Sequence, residues 1–206
     1  MSDSLPALDR TIPFYNLILR ADAPVGEEAG LPPGFVFSFY QPGDAAHWAR
    51  LETEIGDFAS IAQAQAYFTD TYLAQPELLP SRCLFVRTAQ GETVASCIAW
   101  QDERGEALVS SLHWLVVSPR YQRRGIGRAL FLRTMRIFEE NRAFPVYIHT
   151  QPWSHQALTM YARHGFALQR EDTFARYENQ YAQGMETLRA ILSPEAYACL
   201  TGEKKG

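Results

Sequence analysis

Hydrophobic and polar positions along the chain sort into short β-prone runs and helical stretches, with turns between them. Ile12 to Arg20 (IPFYNLILR) is apolar and β-prone, an added strand or a flap, and a Pro- and Gly-containing loop follows. Gly34 to Tyr40 (GFVFSFY) reads as a strand. Gln41-Pro-Gly-Asp44 then makes a turn in which Asp44 is placed to cap a helix over Ala45 to Ile55, with Trp48, Leu51 and Ile55 on one face. Gly56 interrupts that helix, and Ser60 can cap a second one over Ala62 to Leu73, with Ala66, Tyr67 and Leu73 as its buried members. Ser81 to Thr88 and Thr93 to Trp100 read as strands around the turn Ala89 to Glu92, and Asp102 to Gly105 turns into a third strand. The middle of the chain is therefore expected to be a three-stranded antiparallel meander.

Ser110 to Glu140 (SSLHWLVVSPRYQRRGIGRALFLRTMRIFEE) carries the most information. Leu112 to Val117 is an apolar strand alternating at His113, Pro119 ends it, an Arg- and Gly-rich loop follows, and a helix opens near Ile126. At about 100° per residue, Ile126, Leu130, Phe131, Thr134, Ile137 and Phe138 share one face, while Arg128, Arg133, Arg136, Glu139 and Glu140 share the other. Pro145 to Thr150 is the next strand, entering parallel to the one before the helix in a right-handed βαβ unit. Ser154 can cap a helix carrying Ala157, Leu158 and Tyr161 on one side, with Gly165 as its stop. Strand character follows from Phe166, then a helix over Tyr181 to Leu192 and a last short one opened by Ser193-Pro194-Glu195. The expectation is one α/β (α+β) domain over residues 1–206, with a mixed, mostly antiparallel sheet, an N-terminal extension over 1–33 and a loose tail over 203–206.

Composition narrows the function. Hydrophobic residues make up 47% and charged residues 20%, ordinary for a folded soluble chain. A net charge of −4 and a pI near 5.7 argue against a nucleic-acid partner that needs a broad basic surface. Cys83, Cys97 and Cys199 have neither disulfide nor zinc spacing, so no metal is expected and a reducing cytoplasm fits. No basic region followed by an apolar run opens the chain and no segment approaches about 18 continuous apolar residues, which points to a cytoplasmic, non-membrane protein.

The central loop is the chemical lead. Gly125-Ile126-Gly127 at a strand-to-helix junction can turn several backbone N–H groups toward one point, where the helix macrodipole and Arg123, Arg124 and Arg128 favour an anion such as a pyrophosphate. The plain alternative is a tight turn bordered by solvated arginines.

Two stretches carry a family resemblance. Gln122-Arg123-Arg124-Gly125-Ile126-Gly127, after an apolar strand ending in Val-x-Pro, resembles the acyl-CoA pyrophosphate loop of the GNAT superfamily of N-acyltransferases. Ser154 to Phe166 (SHQALTMYARHGF) resembles that family's Asn/Ser, Ala, Tyr, Gly-Phe helix. The resemblance covers about Leu112 to Phe166 and implies acetyl-CoA or another acyl-CoA as donor and an amine acceptor. It also implies pantetheine paired to the main chain of Leu115, Val116 and Val117, and pyrophosphate held by the amides of Gln122, Arg123, Arg124, Gly125, Ile126 and Gly127. Tyr161, at the family's tyrosine position, would be the general acid for the leaving thiolate; its alternative is a core aromatic.

His113 lies just before the pantetheine-binding backbone and belongs to the residue type that titrates near neutral pH, so it is a candidate base. Its position is similar to one histidine of arylalkylamine N-acetyltransferases, whereas the second of that pair corresponds to Ser111; a satisfied sheet histidine is the other reading. The backbone N–H of Val116 could polarise the thioester carbonyl. Glu52, Glu54 and Asp57 could attract a cationic amine or form a solvated helix face, and Phe58, Tyr67 and Trp153 border the expected acceptor cleft. Cys83 and Cys97 read as small core residues, which favours direct transfer over a cysteine relay. His149 is the one further histidine of interest. The reading is an N-acetyltransferase for a small-molecule amine, with a protein or peptide acetyltransferase, or an acyl-CoA-binding sensor, as alternatives and a homodimer as a possible assembly.

Overall fold

The structure is a computed structural model that describes residues 9–202. The charged tail over 203–206, and residues 1–8 of the loose start, lie outside the described residues. Seven strands and seven α-helices follow in order: β1 (Leu17–Ala21), β2 (Phe35–Phe39), α1 (Ala45–Glu54), α2 (Ile61–Thr71), α3 (Leu79–Arg82), β3 (Cys83–Thr88), β4 (Thr93–Arg104), β5 (Ala107–Val117), α4 (Ile126–Glu140), β6 (Val146–Thr150), α5 (His155–Arg163), β7 (Ala167–Leu168), α6 (Tyr181–Ile191) and α7 (Pro194–Thr201). The strands are ordered β2-β3-β4-β5-β6-β1-β7. Neighbours β2–β3, β3–β4, β1–β6 and β1–β7 run antiparallel, and β5 pairs with β6 in parallel, as the βαβ reading requires. This is the expected mixed, mostly antiparallel sheet flanked by helices.

The chain divides into two compact units, and β4, β5 and α4 each pass from one to the other. The first holds 26–99 and 113–137. Here the six residues assigned to the inner face of α4 fall as expected: Ile126, Leu130, Phe131, Thr134 and Ile137 are buried, and Phe138, where α4 enters the second unit, is buried too. Trp48, Leu51 and Ile55 are likewise buried on α1. On α2 the sequence reading is corrected: Ala64 and Phe68 are buried, followed by Tyr72 at its C-terminal end, while Ala66 is exposed. An i, i+4, i+8 row satisfies the 3.6-residue period better than the set 66, 67, 73.

Of the described residues, the second unit contains 9–25, 100–112 and 138–202. Residues 17–21 prove to be a strand and not a flap: β1 lies between β6 and β7, with Leu17, Ile18 and Leu19 wholly buried. Past Phe166 the expected strand shrinks to the two residues of β7 and an isolated Phe174–Tyr177 bridge. Two expected caps also fail. Asp44 makes no side-chain cap; its carboxylate instead accepts from the Gln41 amide at 2.8 Å and from Arg87 at 2.6 Å. Ser154 likewise does not cap α5, because its hydroxyl accepts from Gln151 Nε2 at 2.8 Å. Ser60 and Ser193 do cap α2 and α7, each accepting at 3.2 Å from the backbone N–H three residues on.

Candidate functional site

In the first unit β5 delivers three kinds of group in succession: a histidine, an aromatic wall and a loop. Alternation along β5 predicts that His113 and Trp114 point to opposite faces. Instead Trp114 has φ +52°, and both side chains reach the same aromatic cluster. A left-handed tryptophan costs on the order of 1–2 kcal/mol, so the surrounding packing must hold it there. Its ring packs edge-on to Trp48 with centroids 5.6 Å apart, and lies 5.4 Å from both Phe58 and Tyr67. His113 Nδ1 is 2.7 Å from the hydroxyl of buried Tyr72, and its carbonyl accepts from Cys97 Sγ at 3.7 Å. Tyr72 is a residue that the sequence pattern does not single out, since nothing local signals that its hydroxyl reaches a residue 41 positions away.

Leu115, Val116 and Val117 close the strand, Val116 buried and its neighbours half-buried. Parallel pairing of β5 with β6 covers Ser110 and Ser111, while β5 itself runs on to Val117. A turn of 3₁₀ helix over Pro119–Tyr121 then leads into the loop. Gln122 folds back, its Nε2 donating to the Val117 carbonyl at 3.0 Å. Arg123 at φ +62° and Gly125 at φ +83° both turn through the left-handed region, so the chain reverses tightly before α4 opens at Ile126. A Cβ on Gly127 would stand 3.4 Å from a Val117 methyl, an ordinary contact, so the start of α4 lies within van der Waals reach of the end of β5. Ala129 N–H donates to the Gly125 carbonyl at 3.1 Å, completing the first helical turn.

The loop cations are not equivalent. Arg123 and Arg124 are exposed, and Arg124 donates to the Arg120 carbonyl at 3.3 Å. Arg128 is ion-paired with Glu27, and Arg120 with Glu92 at 2.6 Å. The Tyr121 hydroxyl donates to the same Glu92 at 2.7 Å, and that bond, aided by Arg120, holds the Glu92 carboxyl below the usual range. An anion at the loop would therefore meet Arg123, Arg124 and the N-terminal end of a fifteen-residue helix.

The three early carboxylates separate. Glu54 accepts from Ser118 at 3.0 Å and pairs with Arg50 at 3.2 Å. Asp57 is half-buried. Glu52 is fully buried, and burial, reinforced by Asp57, pushes its carboxyl well above the usual carboxylate range. The solvated-face alternative is thus excluded for Glu52. The buried thiols are disfavoured as thiolates: burial pushes Cys97 up to about 12 and Cys83 well above its ordinary value.

In the second unit, α5 carries Tyr161, which is 4% exposed, with its ring 6.1 Å from Phe166 across the turn at Gly165. Gly165, at φ +89°, ends the helix as expected. His149 Nε2 is 2.8 Å from Asn16 Oδ1, and its ring stacks on Tyr177 at 3.5 Å. Trp153 is covered by the Arg10 guanidinium at 4.2 Å and by Phe14 at 5.1 Å. His149 and Trp153 are therefore packed into this unit's own aromatic cluster. Among the described residues no group of three or more His, Cys, Asp or Glu could hold a metal ion, and no helix is long and apolar enough to cross a membrane.

Comparison with known proteins follows the same lines. The Acetyltransferase (GNAT) family profile matches residues 46–166, more than half of the chain. No curated protein matches the sequence. Among solved structures, a GCN5-related N-acetyltransferase from Sphaerobacter thermophilus is similar with a TM-score of 0.54 at 18% identity, over 76% of this chain and 50% of that one. A GNAT-family acetyltransferase from Colwellia psychrerythraea gives 0.56 at 12% identity, over 76% and 53%. A GCN5-related N-acetyltransferase from Ralstonia eutropha JMP134 gives 0.51 at 20% identity, over 68% and 97%. At these identities the likeness is one of fold, and the chain spans about half the length of the first two.

Proposed function

The chain belongs to the GNAT acetyltransferase family, and from that premise we propose that it transfers an acetyl group from acetyl-CoA directly to a primary amine of a small molecule. The observation that carries the donor half is the loop of residues 122–127: two left-handed residues, Arg123 and Gly125, immediately before the head of α4, with the side chains of Arg123 and Arg124 exposed. Such a loop suits a pyrophosphate. Its amides would hold that group, and the main chain of Leu115, Val116 and Val117, beyond the Ser110–Ser111 pairing with β6, would align the pantetheine arm. Acetyl-CoA supplies the activated thioester.

In the reaction a C–N bond forms and the C–S bond breaks. The amine must lose a proton and the departing thiolate must gain one. His113 receives the amine's proton, with Tyr72 fixing the orientation of its ring. Val116 N–H polarises the carbonyl as it becomes an oxyanion. Tyr161 donates the proton that the thiolate takes. The raised pKa values of Cys83 and Cys97 favour direct attack over an acyl-cysteine intermediate. Cytoplasmic location is part of the same proposal. Amine-dependent release of CoA thiol tests the enzyme reading against the acyl-CoA sensor, which would bind acetyl-CoA and release none.

A further inference from the structure

One turn past Trp48, on which the aromatic cluster of the first unit is centred, α1 carries a buried carboxyl with no hydrogen-bond partner among the described residues. Glu52 follows Trp48 by one turn on α1, is fully buried, and has no hydrogen-bond partner for either carboxyl oxygen among the described residues. Trp48 Nε1 is in the same condition. Buried polar atoms are almost always paired, and an orphan is retained where something other than the fold requires it. A leucine or methionine at this position would continue the apolar face of Trp48, Leu51 and Ile55, so the glutamate works against folding. Trp48, on the same buried face of α1, is stacked on Tyr67 with centroids 6.0 Å apart and has Phe58 and Trp114 at 5.7 and 5.6 Å, while Glu52 acts electrostatically on Cys97, whose thiol donates to the His113 carbonyl at 3.7 Å. Trp48 and Tyr72 are buried, whereas Phe58, Tyr67 and Trp114 keep part of their ring surface in solvent.

We propose that Glu52 and the rings of Trp48, Phe58, Tyr67 and Trp114 form the acceptor subsite, and that it takes an amine carried on an apolar, aromatic scaffold as its ammonium ion. The proposal rests on the acyl-transfer reading above. Ring faces attract a cation through their quadrupoles, and an amine entering as the free base takes the proton that buried Glu52 holds, so that ammonium and carboxylate form together as a hydrogen-bonded pair. The nearest charges fit: Asp57 adds a second negative group, while Arg50 is occupied by Glu54 and the Thr93 carbonyl. Entry is through the rim of Phe58, Tyr67 and Trp114. His113 is next to Trp114 in the chain and bonded to Tyr72, whose ring lies 6.2 Å from both Trp48 and Tyr67, so the candidate base joins the same wall.

The test is calorimetric titration of the full chain with phenethylamine and with its neutral counterpart phenethyl alcohol, without acetyl-CoA. The amine is expected to bind at least ~10-fold more tightly. Glu52→Gln and Glu52→Met should abolish that preference with thermal midpoints no lower than the parent's, and Phe58→Ala should weaken both ligands. Equal affinity for the two ligands, no binding of the amine, or a preference that survives both Glu52 substitutions overturns the proposal. Acetyl transfer measured in parallel separates the two readings. Glu52-dependent binding without transfer upholds this subsite and overturns the enzyme, and a higher kcat/KM for glucosamine than for phenethylamine upholds the enzyme and overturns the subsite.

Discussion

Tyr72 Oη and His113 Nδ1 lie 2.7 Å apart, joining the C-terminal end of α2 to the middle of β5. One ring nitrogen is thereby tied to a buried hydroxyl, and such a partner selects the tautomer and fixes the ring. Tyr72→Phe is expected to lower kcat/KM for acetyl transfer by about 10-fold and His113→Gln by more, since a positioned base contributes on the order of 10²–10⁴-fold. A Tyr72→Phe enzyme with the parent's kcat/KM would show that the bond serves packing alone.

Gly125 is held at φ +83°, and a Cβ added there would meet nothing within 4 Å, so the penalty of a side chain is conformational and not a clash. Gly125→Ala should cost on the order of 1–2 kcal/mol of loop strain. Because the strained loop can relax by moving its amides, acetyl-CoA affinity should fall by about 10-fold or more, while the far-UV spectrum stays unchanged. Titration calorimetry of the two proteins against acetyl-CoA makes the comparison.

Glu52 sets a pH dependence of stability. Its folded-state carboxyl titrates well above the usual range because of burial and Asp57, so the native state holds a proton that the unfolded chain gives up. Stability from this group is therefore complete below the unfolded carboxyl pKa, about 4.3, and declines as pH rises through the higher folded value. Glu52→Met should remove the decline and stabilise the protein at neutral pH by about 1–3 kcal/mol, the cost of an unpaired buried polar group. Thermal melts of both proteins at a series of pH values from about 4.3 upward read this directly.

In the second unit, a Cβ at Gly184 of α6 would stand 2.6 Å from Leu17 Cδ2 and 3.0 Å from its Cγ, and Leu17 is fully buried. Overpacking of about 1–3 kcal/mol outweighs the helix-propensity gain of about 1 kcal/mol from alanine. Gly184→Ala is thus expected to lower the thermal midpoint, and a melt of this variant beside the parent checks it.

Much of this was legible in the residues. The strand, loop and helix of residues 110–140, the parallel return of β6 and the stop at Gly165 all follow from local pattern, because each rests on period or on glycine conformation. Trp114 was not legible: alternation assigns it to the face opposite His113, and the left-handed backbone that overrides this is imposed by packing against Trp48, Phe58 and Tyr67. Glu52 was half-legible. Its spacing from Trp48 places it on the buried face, but charge argued for solvent, and only the three-dimensional surroundings decide between the two. The failed caps at Asp44 and Ser154 have a shared cause, namely that each side chain finds a partner nearby that competes with the helix amides.

The proposed reaction is acetyl transfer to an amine, with Tyr161 delivering the proton to the leaving thiolate. The direct measurement is CoA thiol release from acetyl-CoA, followed with and without a panel of primary amines, for the parent protein and Tyr161→Phe. Expected are amine-dependent release, an acceptor that gains one acetyl group, and a Tyr161→Phe enzyme whose kcat falls about 10²-fold or more while acetyl-CoA affinity is kept. Tight acetyl-CoA binding with no amine-dependent release, or a Tyr161→Phe enzyme as fast as the parent, would contradict it.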